Sequence, residues 1–242
     1  MEKKRRYRRG YPIAIIVGLE EDRAVIWKIF SNVFKPEKTV WFDGSRDDVK
    51  AKYSFHESIV KALRFVFNEG IRSIILVSPT RMNYTKTFFE HIRRHHLWLV
   101  QGPNKAIFSK VNGFASTKFQ VVTLMKNPLF RQVISETTSE ETSNIVGMLE
   151  QHLNSSNRAV MYMFEEIEEL IIGPQKSGRH IPEFLLLTNK YLSDSREKNR
   201  LNRLIQIAKN RNIKTRIVDA ESIAGLRLTQ LGGIVCFTQP VN

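Results

Sequence analysis

The sequence predicts an α/β protein made of two layered α/β domains, each with a mixed sheet flanked by helices. Three observations predict it. Short apolar runs, such as PIAIIV at 12–17 and IRSIILV at 71–77, alternate with amphipathic stretches of helical length, such as 54–70 and 84–96. Alternation of that kind folds into layers of helix on sheet. The chain has 242 residues, 42% of them hydrophobic, enough for one large core or two modest ones. Its charge also divides sharply. Residues 1–126 carry 24 basic and 11 acidic side chains, whereas 127–242 carry 14 and 13. That change, beside the break at Asn127-Pro128, places a domain boundary between 126 and 127.

Taken in order, the chain opens on MEKKRRYRRG, in which Lys3, Lys4, Arg5, Arg6, Arg8 and Arg9 face only Glu2. Such an arm, residues 1–10, repels itself and is expected to order only on a polyanion. Residues 11–18 read as a buried strand, 24–30 as its hairpin partner and 38–42 as a third strand. Residues 43–53 (DGSRDDVKAKY) are polar and contain glycine, hence a loop. Ser54-Phe-His-Glu57 has the capping-box pattern, and Ile59, Val60, Leu63, Val66 and Phe67 share one helical face after it. Gly70 suits the left-handed residue that ends this helix. Residues 71–77 form an apolar strand stopped by Ser78-Pro79, and 84–96 form a helix with Phe88, Phe89 and Ile92 inward. The stretches 97–100 and 121–124 complete the first domain, 11–126.

The second domain, 127–242, opens with helices. Thr138-Ser-Glu-Glu141 repeats the capping pattern, and Ile145, Met148, Leu149 and Leu153 follow at helical spacing. A further helix spans 158–171, with Glu165, Glu166, Glu168 and Glu169 on its wet side. A loop at 173–180, a strand at 184–188, a basic helix at 199–210 and a strand at 215–219 follow. The segment 223–231 and Gly232-Gly233 lead into a last strand at 234–237.

Several function classes are excluded or weakened. No run of about 18 apolar residues exists to cross a bilayer. The apolar stretch after the basic start is too short for a signal-peptide core, and no small-residue cleavage site follows it. The single cysteine, Cys236, rules out an internal disulfide framework, fits a reducing compartment and lies in a core-like run. A cytoplasmic protein with no membrane partner is expected. There is no GxxxxGK[ST] and no GxGxxG. Ser78 has no nucleophile elbow around it. His91, His95 and His96 could place two imidazoles on one helix face, but no cysteine or carboxylate stands at ligand spacing beside them. With Arg93 and Arg94 between, a basic helix end near nucleic acid fits better. No metal, catalytic residue or cofactor is expected.

The net charge of +14 and the isoelectric point near 10.0 ask for a polyanionic partner. The surplus lies in the first half, so that half is expected to face RNA. Its candidate contacts are the arm, Arg46, Lys50 and Lys52 in the 43–53 segment, and Arg93 and Arg94. The near-neutral half is left for protein partners.

These segments resemble the middle and C-terminal domains of the Pelota and archaeal/eukaryotic class-I release factor superfamily. IKTRIVDAE, a short helix with Gly225 and LTQLGGIVCF are similar to that family's closing helix, Gly-Gly-Ile and terminal strand. RAVMYMFEEIEELI followed by IPEFLLLTNKYL resembles its helix and strand. IRSIILVSP, FFEHIRRH and GFASTKFQVVTLMKNP resemble the middle domain and the crossing out of it. The resemblance covers residues 11–242. It implies a ribosome-binding translation factor acting in rescue, recycling or dormancy. Its first half would meet large-subunit rRNA and possibly tRNA. Residues 127–242 would meet a translational GTPase or an ABC-type recycling ATPase. Release factors carry Gly-Gly-Gln on the loop that 43–53 matches. Here Gly44 and Ser45 stand in it without any Gln, which implies no peptidyl-tRNA hydrolysis. Two other readings of the residues stay open. One is a peptidyl-tRNA hydrolase or RNA nuclease of ribosome quality control. The other is a general structured-RNA-binding module.

Overall fold

The structure is a computed structural model that describes residues 10–45, 47–155, 160–173 and 181–239. The fold is α/β, with two mixed sheets and helices between their strands. The chain forms two compact units. The first comprises 1–62, 72–100 and 106–138; the second comprises 63–71, 101–105 and 139–242.

The first unit is built on β1 (Pro12–Leu19), β2 (Arg23–Phe30), β3 (Phe34–Trp41), β4 (Ser73–Ser78) and β5 (Ile107–Asn112), in the order β3-β2-β1-β4-β5. β1, β2 and β3 form an antiparallel meander, while β4 and β5 add parallel to β1. The central strands are apolar on both faces: Ile15, Ile16, Ile26, Ile74, Ile75 and Val77 are buried. That is the pattern of strands covered on both sides. The buried Trp27 indole donates to the Ala115 carbonyl at 2.6 Å, so its polar edge keeps a partner inside the core.

Helix α1 (Val49–Asn68) follows β3, and α2 (Tyr84–His95) follows β4. α1 begins earlier than its sequence pattern implies. The Asp48 carboxylate accepts the Lys50 N–H at 2.8 Å and so caps the first turn. Ser54 and Glu57 therefore lie inside the helix, and the loop expected at 43–53 is confined to 42–48. Gly70 does follow the helix, at φ +91.

The two stretches expected to complete this unit are both helical. Residues 97–99 form a 3-10 turn, and 121–124 lie in α3 (Lys118–Lys126). Val121 and Val122 favour a strand locally. Thr117 and Gln120 override them with a full capping box, each side chain accepting the other's N–H. The strand in that part of the sheet is β5, whose Ser109, Lys110 and Asn112 hide its pattern.

Asn127-Pro128, expected as a break, starts α4 (Pro128–Leu153), with proline at the first helical position, where its missing N–H costs nothing. The change of unit falls inside α4, between residues 138 and 139. Thr138 is thus mid-helix, and its hydroxyl donates back to the Ile134 carbonyl.

The second unit carries β6 (Val160–Met161), β7 (Pro182–Thr188), β8 (Lys214–Val218) and β9 (Ile234–Thr238), in the order β6-β9-β7-β8. β7 and β8 are parallel; β9 runs antiparallel to β7 and β6. Helices α5 (Phe164–Ile172), α6 (Asn189–Asp194), α7 (Lys198–Asn210) and α8 (Ile223–Gln230) complete it. The helix expected over 158–171 is therefore a short strand and then α5. One core packs Ile145, Leu149 and Leu228 on Phe184, Leu186 and Phe237; the other packs Ile167, Ile171, Leu201 and Leu204 on Leu185, Leu187 and Cys236. Burial pushes the Cys236 thiol up to about 12, which makes it an inert core residue. Gly225 is required in α8, because a Cβ there would fall 1.9 Å from the Asp219 carbonyl oxygen. Among the described residues no helix is long and apolar enough to cross a membrane.

Candidate nucleic-acid interface

The site is built where α1 faces the end of α2 within the first unit. Tyr53 and Glu57 lie one turn apart on α1 and so share a face. His91 and His95 stand in the same relation on α2. His96 follows the last helical turn with φ −132 and ψ 53, while its N–H still bonds the Ile92 carbonyl. That non-helical residue swings its ring back to the side of His91.

The three meet on one oxygen. Glu57 Oε1 lies 3.0 Å from His91 Nε2 and 2.6 Å from His96 Nε2, and accepts from both when each ring carries its proton there. Both imidazoles are buried, and the Glu57 side chain is 22% exposed. Burial alone would raise the Glu57 carboxyl. The hydrogen bonds and charges of His96 and then His91 outweigh it and hold the group below its ordinary value. Burial pushes the His91 imidazole down, with Glu57 opposing. An ionised carboxylate and a neutral imidazole therefore sit side by side.

Exposed aromatic rings lie against this cluster. The Tyr53 ring meets His91 and His95 edge-on, each at 5.1 Å. Trp98, half exposed, stands perpendicular to the His96 ring at 6.5 Å. Arg93 and Arg94 are exposed in the last turn of α2. On another side of α2, Lys110 lies over the Phe89 ring at 4.5 Å. Aromatic faces beside cations suit single-stranded nucleic acid, with bases stacking and phosphates pairing.

Of the expected contacts, Arg93 and Arg94 are exposed in the last turn of α2, beside His95 in sequence. Lys50 is exposed and Lys52 half-buried on the first turn of α1, with Lys52 beside Tyr53. Lys3, Lys4, Arg5, Arg6, Arg8, Arg9 and Arg46 lie outside the described residues. Sequence reasoning missed Glu57, Tyr53 and Trp98. The carboxylate thought to be lacking beside the histidines is Glu57, 34 residues away from His91. Its S-x-x-E setting pointed instead to a helix start.

No protein-family model matches the sequence, and no curated protein matches it. Solved structures do match its fold. One is S. cerevisiae Dom34, a translation termination-like factor involved in RNA quality control pathways and interacting with Hbs1. It is 21% identical, with 97% of this chain and 65% of that one covered, at a TM-score of 0.52. Another is archaeal Pelota, seen bound to the ribosome with ABCE1. It is 14% identical, with 95% and 62% covered, at a TM-score of 0.53. The chain thus spans a little under two thirds of the length of these structures, and its fold is Pelota-like.

Proposed function

We propose that this chain of Pelota-like fold is a ribosome-binding translation factor, acting in rescue, recycling or dormancy. The observation that carries the reading is the fold match, which runs through both units and nearly the whole chain. The charge division agrees with it, since the surplus lies in the half that holds Tyr53, Arg93, Arg94 and Trp98. These residues, with Lys50, Lys52, Arg46 and the 1–10 arm, would contact rRNA or tRNA. The loop matched to the release-factor Gly-Gly-Gln loop holds Asp43, Gly44, Ser45, Arg46, Asp47 and Asp48, with no amide side chain to place water at an ester. The chain is accordingly proposed to act by binding, without peptidyl-tRNA hydrolysis.

Residues 127–242 are proposed to meet a protein partner, a translational GTPase or an ABC-type ATPase. Support comes from exposed apolar side chains on the second unit, among them Ile223, Leu226 and Tyr162, and from the partners named for Dom34 and Pelota.

The test is co-sedimentation with ribosomes and separated subunits across a salt series. Binding is expected at moderate salt, chiefly to the large subunit. Arg93→Ala with Arg94→Ala is expected to lower the slope of log affinity against log salt by about two. Failure to sediment with ribosomes at moderate salt overturns the reading. Equal affinity for unrelated structured RNA would replace it with a general RNA-binding module.

A further inference from the structure

We propose that Glu57, His91 and His96 form a binding site for a single zinc-class divalent cation, with a fourth position open to water. Four of the six histidines of the chain gather at this place: the His56 and His95 rings flank His91, at 5.0 and 4.8 Å between centroids. Among the described residues, one ligand atom each of Glu57, His91 and His96 lies within 4.8 Å of the other two. Two imidazole nitrogens and a carboxylate oxygen form a donor set that zinc uses when it keeps an open coordination position.

The spacing is close to what a cation needs. Bonds of about 2.0–2.1 Å in tetrahedral geometry separate ligand atoms by about 3.3 Å. The two nitrogens now stand 3.0 and 2.6 Å from Glu57 Oε1. The two oxygen–nitrogen gaps must open by about 0.3 and 0.7 Å, and the two nitrogens, within 4.8 Å of one another, must settle at a similar separation, all by side-chain torsions. Each ring would move its proton from Nε2 to Nδ1, so a neutral imidazole stays neutral and the cation takes the place of two hydrogen bonds. Imidazole and carboxylate together favour zinc over calcium or magnesium, which prefer all-oxygen shells.

Position fixes the rest of the coordination. The two imidazoles are buried, whereas the Glu57 side chain reaches solvent. The open position therefore lies on the carboxylate side. His95 is exposed and outside the convergent trio, so it is not needed as a ligand. A bound cation would tie α1 to the end of α2 and fix the segment that presents Arg93, Arg94 and Trp98.

The experiment uses the untagged full chain, stripped with EDTA and titrated with Co2+ and then Zn2+. Tetrahedral Co2+ is expected to give a visible ligand-field band that saturates at one equivalent and is displaced by Zn2+. Glu57→Gln, His91→Gln and His96→Gln are each expected to weaken binding by more than the roughly 10–100-fold that outer-sphere partners cost. His95→Gln is expected to leave it unchanged. Absence of the band, or its survival in both His91→Gln and His96→Gln, overturns the proposal. If a variant does not fold, the wild type decides alone. Its melting temperature must rise when Zn2+ is added to stripped protein, and an unchanged melting temperature overturns the site. None of these readouts depends on ribosome binding.

Discussion

Glu57 and Glu141 do similar work in the two units, in opposite surroundings. Each sits inside a helix and each holds a base from a distant segment. Glu57 shares one oxygen between two imidazoles and keeps a path to solvent. Glu141 on α4 meets Arg216 of β8 at 2.6 Å, with the two side chains 1% and 2% exposed. A guanidinium never gives up its charge in a protein, whereas an imidazole changes charge near neutrality. The first unit thus pairs its carboxylate with groups of variable charge. The second contains a sealed pair that nothing in water reaches. Chemical type and water access together separate an adjustable contact from a fixed one.

The comparison can be broken most directly at the sealed pair. Arg216→Ala leaves a buried carboxylate without its countercharge, and the unfolding free energy in urea should fall by about 3–5 kcal/mol. Restoring shape without charge, by Arg216→Met with Glu141→Leu, should recover most of it. Glu57→Ala should cost less, about 1–2 kcal/mol in the presence of EDTA, because it removes two hydrogen bonds made by a carboxylate that still reaches solvent. A cost above that of Arg216→Ala would invert the comparison.

A further test, felt only in alkali, sharpens it. The Cys236 thiol titrates at about 12 in the fold against an ordinary 9.0. Above pH 9 the unfolded chain loses that proton while the folded one keeps it. Stability should therefore fall as pH rises from 9.0 toward 12, and Cys236→Ala should flatten that limb. Thiol alkylation of the native protein at pH 8 should likewise be slow until denaturant is added; rapid labelling would show that the core admits water.

Much of the fold was legible because its strongest signals are local. The apolar runs that became β1, β2, β4, β7 and β9, and the helical faces of α1, α2 and α7, stand where periodicity puts them. The misses share a cause. β5 pairs through its backbone with β4, so its polar side chains carry no record of it. Both S/T-x-x-E patterns, at 54–57 and 138–141, signalled helix starts, yet both glutamates lie mid-helix and serve distant partners. The side chains of Asp48 and Asn127, each accepting the N–H two residues on, cap the starts of those helices instead. The site was half legible: the histidines and arginines of α2 are visible in sequence, but the acceptor that organises them is supplied by packing of α1.

The outer strand of the first sheet has a consequence for how this chain behaves in a crowd. β3 ends the sheet, and its sequence, FKPEKTVW, sets Lys35, Pro36, Glu37 and Lys38 along it. Proline withholds a backbone donor, and clustered charges resist a second strand laid alongside. A protein with this much exposed cation would be drawn to high local concentration on any polyanion. The blunted edge means that such crowding need not template strand-to-strand aggregation along β3.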